Sequence, residues 1–257
     1  MLTPPEIARS LLAAGESKAR LPFGKMLLLA ILAGAYIALA GVGATAAAVT
    51  VESGSLAKLL SACVFPAGLS MVILAGSELF TGNCLMVMAL LECRITPAQL
   101  LRNWLTVYLG NAVGGAAVAA LAVYSHTASL FGDGLARSMV SIAESKAALG
   151  FGDAFLRGVL CNFLVCLAVW MAAASKRAEG KVIALFFPIL LFVLCGYEHC
   201  IANLYYLPAG AFAAAEYGME TTLTLAGCLK NLAAVTLGNL VGGAALGVGY
   251  RFAYLKE

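Results

Sequence analysis

Two interruptions of the same design lie within long apolar stretches of this chain. The segments "GSELFTGN" (76–83) and "GYEHCIAN" (196–203) share the pattern Gly-x-Glu-x-x-x-x-Asn, and the second follows the apolar run "VIALFFPILLFVLC". A charged side chain inside a bilayer costs about 2.5 to 3.5 kcal/mol, so each glutamate requires a local partner or water. The pattern therefore predicts helices that are broken inside a membrane rather than continuous spans.

The apolar stretches predict an all-α membrane protein. The chain has 257 residues, of which 62% are hydrophobic and 11% charged, whereas soluble domains carry about 25% charged residues. A spanning helix needs about 20 apolar residues. Six stretches qualify, and the whole chain, 1–257, is predicted to form one membrane domain: 26–49, 58–91, 99–124, 151–174, 182–208 and 223–250. The net charge of +3 is too small to indicate a nucleic-acid partner.

The two halves of the chain repeat one another. The segments "NWLTVYLGNAVGG" (103–115) and "NLAAVTLGNLVGG" (231–243) follow the two interruptions and match at their Asn, Leu-Gly-Asn and Gly-Gly positions. The first repeat is predicted to cover 26–124 and the second 151–250. Three spans is an odd number, so the halves enter the membrane from opposite sides as inverted repeats, with helices two and five broken. Paired broken helices at matching positions predict a substrate site at mid-membrane.

The distribution of basic residues predicts the orientation. Eleven Lys and Arg residues flank the spans on the side of the N-terminus, against three, Lys58, Arg137 and Lys146, on the other. The positive-inside rule therefore predicts that both termini are cytoplasmic. Residues 3–18 are expected to form an amphipathic helix at the membrane surface, because Thr3 and Glu6 make a capping box.

The two glutamates and one histidine are the ionisable residues at the interruptions. For Glu78 and Glu198 a structural role is favoured, with Asn83 and Asn203 as partners that hold the broken loops in shape. An intramembrane histidine is a functional candidate, and His199 qualifies because the pattern does not require a polar residue there.

Several other residues are candidates, and for Thr81, Lys146 and the apolar residues below two interpretations stay open. Leu79 occupies the position that matches His199. Thr81 could face His199 across a pore or cap a helix. Lys146 could be a solvated loop lysine or a cation that concentrates anions at a pore mouth, and Asn162 could pack against another helix. By spacing alone, five apolar residues are packing residues, although they could form collars around a polar chamber: Phe65, Leu69, Leu79, Phe80 and Phe192.

The remaining residues predict neither a cofactor nor a metal site. The only other histidine is His126, so no set of haem or zinc ligands can be assembled around His199. The glycines of spans three and six predict close helix packing. The small residues of spans two, three and six are further expected to support contacts between identical subunits in a closed ring.

Four segments together resemble the formate/nitrite transporter family: "GSELFTGN", "LCNFLVCLAVWMA", "GYEHCIANLYYLP" and "VTLGNLVGG". The resemblance implies an aquaporin-like protomer, a homopentamer with one pore per subunit and a place in the inner or plasma membrane, among its lipids. It implies passage of formate, nitrite or hydrosulfide with their conjugate acids. By motif, the central histidine is His199, the loop threonine Thr81 and the vestibule lysine Lys146, with polar support from Glu198, Asn162 and Asn203.

The resemblance also implies two constrictions, Leu69, Leu79 and Phe80 on the cytoplasmic side and Phe65 and Phe192 on the outer side. The expected mechanism is attraction of an anion by Lys146, protonation near His199 and passage of the neutral acid. Direct anion conduction past a cationic His199 is the alternative. A membrane enzyme that uses Glu198 and His199 as acid and base is disfavoured, because no nucleophile or metal set accompanies them.

Overall fold

The described part of the chain is helical throughout. A computed structural model describes residues 1–256, and these contain twelve α-helices and no β-strand. The helices are α1 Pro4–Ala19, α2 Phe23–Ala46, α3 Gly54–Val64, α4 Pro66–Ala75, α5 Phe80–Asn83, α6 Val87–Leu91, α7 Pro97–Tyr124, α8 Gly134–Ala148, α9 Phe151–Ala173, α10 Ala178–Leu194, α11 Cys200–Glu216 and α12 Leu225–Tyr254.

Five helical segments among residues 1–256 are long and apolar enough to cross a membrane. These are α2, the α3–α4 segment Gly54–Ala75, α7, α9 and α12. The predicted sixth stretch, 182–208, is divided between α10 and α11, each of 17 residues. Both predicted interruptions are therefore present, between α4 and α5 and between α10 and α11.

Glycines allow two pairs of long helices to touch along their backbones. A β-carbon at Gly114 of α7 would overlap the Ile31 carbonyl oxygen of α2, and one at Gly242 of α12 would overlap the Val159 carbonyl oxygen of α9. The predicted close helix packing is thus confirmed. The expectation that the small residues of spans three and six serve subunit contacts is wrong for these glycines, because they are used inside the protomer. The outer surface of α7 carries exposed leucines such as Leu105 instead.

Helices α1 and α8 lie at opposite ends of α9. The Leu2 amide donates to the Ala174 carbonyl just after the end of α9, whereas α8 ends at Ala148, shortly before α9 begins. We call these two ends of the molecule the α1 face and the α8 face. Helix α1 starts with the predicted capping box, in which Thr3 N donates to Glu6 Oε2 at 2.7 Å. The hydrogen bonds from Thr3 lower the pKa of Glu6.

Helix α8 replaces what the sequence analysis treated as a loop around Lys146. It buries an apolar face that includes Leu135, Met139 and Ala143, and it packs mainly on α11. Its end is tied to the start of α12 through Glu144, whose Oε1 accepts from Thr222 N at 2.7 Å. This backbone hydrogen bond is the largest of the effects that lower the pKa of Glu144. Lys146 is therefore held by a fixed helix.

Candidate functional site

The two interruptions have the same backbone form. Helices α4 and α10 each lead into a left-handed glycine, Gly76 with φ of 78° and Gly196 with φ of 69°. A residue with a β-carbon is strained in this region, so glycine is the residue that ends a helix in this way. Three extended or irregular residues follow each glycine before α5 and α11 begin. At both places the chain therefore has backbone groups that no helix pairs.

Two buried asparagines from the neighbouring long helices satisfy these groups. Asn111 of α7 donates to the Glu78 carbonyl at 2.9 Å and accepts from Phe80 N at 3.0 Å. Asn239 of α12 donates to the Glu198 carbonyl at 3.0 Å and accepts from Cys200 N at 2.9 Å. Each asparagine also donates to a carbonyl of α2 or α9. The repeated Leu-Gly-Asn motif thus fastens the interruptions, a role that the sequence analysis did not assign.

Each glutamate carboxylate sits between a lysine and an asparagine. Glu78 accepts from Lys18 Nζ at 2.7 Å and from Asn83 Nδ2 at 2.8 Å. The side chain of Glu78 is only 8% exposed. A buried carboxylate needs such partners because its desolvation is costly. The predicted partner Asn83 is confirmed, whereas Lys18, which α1 contributes, was not predicted.

The second glutamate has the matching arrangement. Glu198 accepts from Lys146 Nζ at 2.9 and 3.0 Å and from Asn203 Nδ2 at 2.7 Å. Asn203 in turn donates to Asn231 Oδ1, as Asn83 does to Asn103 Oδ1. Lys146 is therefore not a solvated loop lysine, and as a cation at a pore mouth it is not isolated, because Glu198 compensates its charge.

The polar centre joins the two interruptions. Thr81 Oγ1 lies 3.0 Å from His199 Nε2, although the two residues are 118 positions apart. His199 Nδ1 accepts from Ala202 N at 3.0 Å and so caps α11. An acceptor nitrogen carries no hydrogen, so the neutral ring has its hydrogen on Nε2 and donates it to Thr81. The hydroxyl hydrogen of Thr81 is then available to a further acceptor.

Asn162 of α9 forms hydrogen bonds next to the same centre. Its Nδ2 donates to the Thr81 carbonyl at 3.2 Å and to the Asn239 carbonyl at 2.7 Å. Asn162 thus links the first interruption to α12, which agrees with the interpretation that its amide packs against other helices. All four predicted polar residues near the centre, Asn162, Asn203, Thr81 and His199, are buried.

Apolar side chains surround the Thr81–His199 contact. The rings of Phe65 and Phe192 meet edge to face with centroids 5.6 Å apart, and Phe192 stacks on His199 at 5.8 Å. Leu69 and Leu79 are buried in the same cluster. Phe80 packs edge to face on Tyr108 at 5.1 Å. All five predicted constriction residues therefore belong to one buried apolar cluster, which contacts the centre through Phe192.

Two cavities approach this centre from the two faces. The His199 cavity, of about 130 Å³, lies at the α8 face, and its lining includes Phe65, Phe192, Lys58, Lys146 and His199. The Leu79 cavity, of about 380 Å³, lies at the α1 face, and its lining includes Leu69, Leu79, Lys18, Glu78 and Lys181. Phe80 does not line the Leu79 cavity. Each cavity thus has cationic residues in its wall and apolar residues at its inner end.

The comparisons with known proteins agree with this geometry. The family model described as formate/nitrite transporter matches residues 5–253. The chain belongs to the formate/nitrite transporter family. It is 38% identical to a probable formate transporter of Methanothermobacter thermautotrophicus, over 99% of this chain and 98% of that protein. It is 34% identical to the formate channel FocA of Escherichia coli strain K12, over 100% and 96% of the two chains.

Solved structures of this family superimpose on the chain. An FNT family ion channel matches with a TM-score of 0.86 and 32% identity, covering 96% of this chain and 98% of that chain. A pentameric formate channel with formate bound matches with a TM-score of 0.80 and 33% identity, covering 91% and 98%. Membership of the formate/nitrite transporter family makes the protein a multi-pass membrane transport protein and not an enzyme.

Proposed function

We propose that this chain is a pore for small monovalent anions of weak acids, with formate as the first candidate and nitrite and hydrosulfide as further ones. The observation that carries the proposal is the 3.0 Å contact between Thr81 Oγ1 and His199 Nε2, located between two cavities that approach from opposite faces. One relative is named a probable formate transporter and another a formate channel, which supports formate as the first candidate.

The hydrogen bonds of His199 favour a neutral ring during transport. A cationic ring would carry a hydrogen on Nδ1, and this hydrogen would point at the Ala202 N–H that Nδ1 accepts at 3.0 Å. Loss of that bond would leave a buried donor unpaired, at a cost of about 1 to 3 kcal/mol. The geometry therefore favours passage of a neutral species over conduction of an anion past a fixed cationic histidine.

The proposed mechanism follows from the cost of moving charge through an apolar constriction. An anion that reaches the His199 cavity meets Phe65 and Phe192, which cannot replace its hydration shell. A carboxylate oxygen that accepts from the Thr81 hydroxyl takes up the proton of a hydronium ion that enters the cavity from outside, which leaves a water molecule behind, and the neutral acid passes Leu79. It loses the proton again in the wider Leu79 cavity. One anion and one proton cross together.

The proposed architecture is six membrane passages arranged as two inverted repeats in an aquaporin-like protomer. The third passage of each repeat packs against the first, α7 on α2 and α12 on α9, and matching asparagines hold both interruptions. The α1 face, with both termini, is proposed to be cytoplasmic because basic residues are concentrated there. By likeness to the pentameric formate channel, five subunits form a ring in the cytoplasmic membrane, with one pore in each.

The test is transport by the pure protein in liposomes that contain a pH-sensitive dye. Uptake of labelled formate should rise with the external proton concentration, and the interior should acidify by one proton for each formate. In His199→Asn, the amide oxygen can still cap α11, but the ring nitrogen that bonds Thr81 is absent. The proton-coupled rate should fall about tenfold or more, the effect of one hydrogen bond of about 1.4 kcal/mol.

His126→Asn is the matched control, because His126 is exposed and lies far along the chain from both interruptions. It should keep the rate and pH dependence of the unmodified protein. Formate uptake without acidification, at a rate that does not depend on pH, would favour direct anion conduction. Absence of formate, nitrite and hydrosulfide uptake by correctly assembled protein would refute the proposed function.

A further inference from the structure

A third cavity opens next to the His199 cavity on the α8 face. We call it the Arg137 cavity; it has a volume of about 560 Å³ and its lining includes Arg137. The two cavities share Thr45, Ser61 and Ile142 in their walls. They are therefore adjacent parts of one funnel that leads from the surface to His199.

The polar side chains of the Arg137 cavity are five hydroxyls and one guanidinium. Its wall holds hydroxyls from α2, α3, α8 and the segment after α2. Thr45 and Ser61 donate to the backbone carbonyls of Gly41 and Ala44. Within residues 1–256, three other hydroxyls have no hydrogen-bond partner and so remain free to donate: Thr50, Ser138 and Ser141. No acidic residue of the described chain lines either part of the funnel.

Arg137 provides the charge in this cavity. The Arg137 Nη2 donates to the Gly132 carbonyl. Within residues 1–256 the Arg137 side chain makes no other hydrogen bond and no ion pair with a carboxylate. A guanidinium has five N–H donors in a plane that matches a carboxylate or nitrite group. Arg137 and Lys146 are nine residues apart on α8, a distance of about 13 Å along the helix. Arg137 thus lies at the outer end of the funnel and Lys146 at the inner end.

The charge on Lys146 attracts distant anions only weakly. Its ammonium lies 2.9 Å from a Glu198 oxygen, and such a pair acts at longer range as a dipole of zero net charge. Lys58, in the wall of the His199 cavity, has no carboxylate within salt-bridge distance among residues 1–256. The uncompensated positive charges of the funnel are therefore Arg137 and Lys58, and their field extends over about a Debye length into solution.

We propose that the Arg137 cavity is an anion-collecting subsite that loads small oxyanions into the pore, with Lys58 as the next cation on the way to the His199 cavity. The inference rests on the proposed function. It assigns the collecting role, first given to Lys146, to two residues that are not paired with carboxylates. Arg137 and the free hydroxyls bind the anion with its hydration partly retained, ahead of the apolar constriction.

The experiment compares initial rates of labelled formate uptake in liposomes for the unmodified protein, Arg137→Gln, Arg137→Lys and the double variant Lys58→Gln/Arg137→Gln. At low formate and about 10 mM salt, Arg137→Gln should lower the rate about two- to threefold and the double variant about fivefold. The maximal rate at saturating formate should be unchanged. At about 1 M salt the differences should vanish, because the field is then screened within about 3 Å. Arg137→Lys should retain most of the rate at low salt.

Lys230→Gln is the matched control, since Lys230 is an exposed cation beside α8 that lines a different cavity. It removes the same charge and should leave the rate unchanged at low salt. Unmodified, correctly assembled protein that transports none of formate, nitrite and hydrosulfide would refute the proposed function itself; if it transports nitrite but not formate, the same comparison is made with nitrite. Two other outcomes would overturn the collecting subsite alone, provided that the unmodified protein transports formate. In the first, Arg137→Gln is as fast as the unmodified protein at low salt. In the second, Arg137→Gln is slower by the same factor at high salt and saturating formate as at low salt and low formate.

Discussion

The interruption at Gly76–Asn83 and the interruption at Gly196–Asn203 have the same hydrogen-bonded frame around different centres. In both, a left-handed glycine ends a helix and a buried glutamate binds a lysine and an asparagine. In both, an asparagine of the following long helix bonds the backbone on either side of the interruption. Because the same hydrogen bonds occur in both interruptions around different residues, we infer that these bonds serve to hold the backbone in place.

Two of the five positions that differ between the interruptions contribute the residues at the centre of the proposed pore. Leu79 in the first interruption corresponds to His199 in the second, and Thr81 corresponds to Ile201. Each half thus contributes one polar residue and one apolar residue, and the two polar ones meet at 3.0 Å. The comparison indicates that the duplicated residues hold the interruptions open and the residues that differ determine what passes.

The largest expected effect comes from removal of the frame. Asn111→Ala and Asn239→Ala each delete three hydrogen bonds in a buried place. Each should lower the free energy of unfolding by about 3 kcal/mol or more, because backbone groups are left unpaired. Thermal unfolding in detergent measures this. Ser70→Ala is a control, because the Ser70 hydroxyl bonds only its own helix at Pro66. A large loss in one variant only would show that the two frames are not equivalent.

The next effect distinguishes the two centres. Thr81→Val removes a buried hydroxyl at constant shape and should lower proton-coupled formate uptake about tenfold, the effect of about one hydrogen bond. Ile201→Val at the matching position removes one methyl group and should cost about 1 kcal/mol in stability without an effect on the pH dependence of uptake. Initial rates of uptake per folded protein measure transport by both variants, and thermal unfolding in detergent measures the stability of Ile201→Val. Equal losses of transport would show that this position acts through packing in both halves.

The interruptions and the asparagine partners of the two glutamate side chains were predictable because their signal is local. A glutamate within an apolar run needs a nearby partner, and Asn83 and Asn203 lie five residues further along. For Thr81 the sequence left two interpretations open, and the 3.0 Å contact with His199 agrees with the one in which the repeats face each other. The glutamate–asparagine prediction needed no knowledge of how distant helices are arranged, whereas the Thr81–His199 contact depends on it.

The lysine partners were missed because they lie outside the apolar stretches. Lys18 lies in "ESKARLPFG" and Lys146 in "ESKAALGFG", two segments that match at seven of nine positions. This match extends the repeat to α1 and α8 and makes Lys18 and Lys146 equivalent positions. Helix α8 was missed because it is only half buried, so a search for continuous hydrophobicity does not detect it. Its buried residues Leu135, Met139, Ala143 and Ala147 do recur at a helical spacing of four.

The smallest expected effect is the difference between the two ion pairs. The Lys146 side chain is 15% exposed and the Lys18 side chain 30%, while both glutamates are similarly buried. Removal of the carboxylate charge leaves the ammonium without its partner, and the loss is greater where less water reaches it. Glu198→Gln should therefore destabilise the protein more than Glu78→Gln, by about 1 kcal/mol. Thermal unfolding of both variants measures the difference. In the double variant Lys146→Met/Glu198→Gln no charge is left unpaired, so part of the stability should return. A double variant no more stable than Glu198→Gln would show that Glu198 stabilises the protein through Asn203 alone. The ion pairs with the lysines would then contribute little to the stability of either interruption.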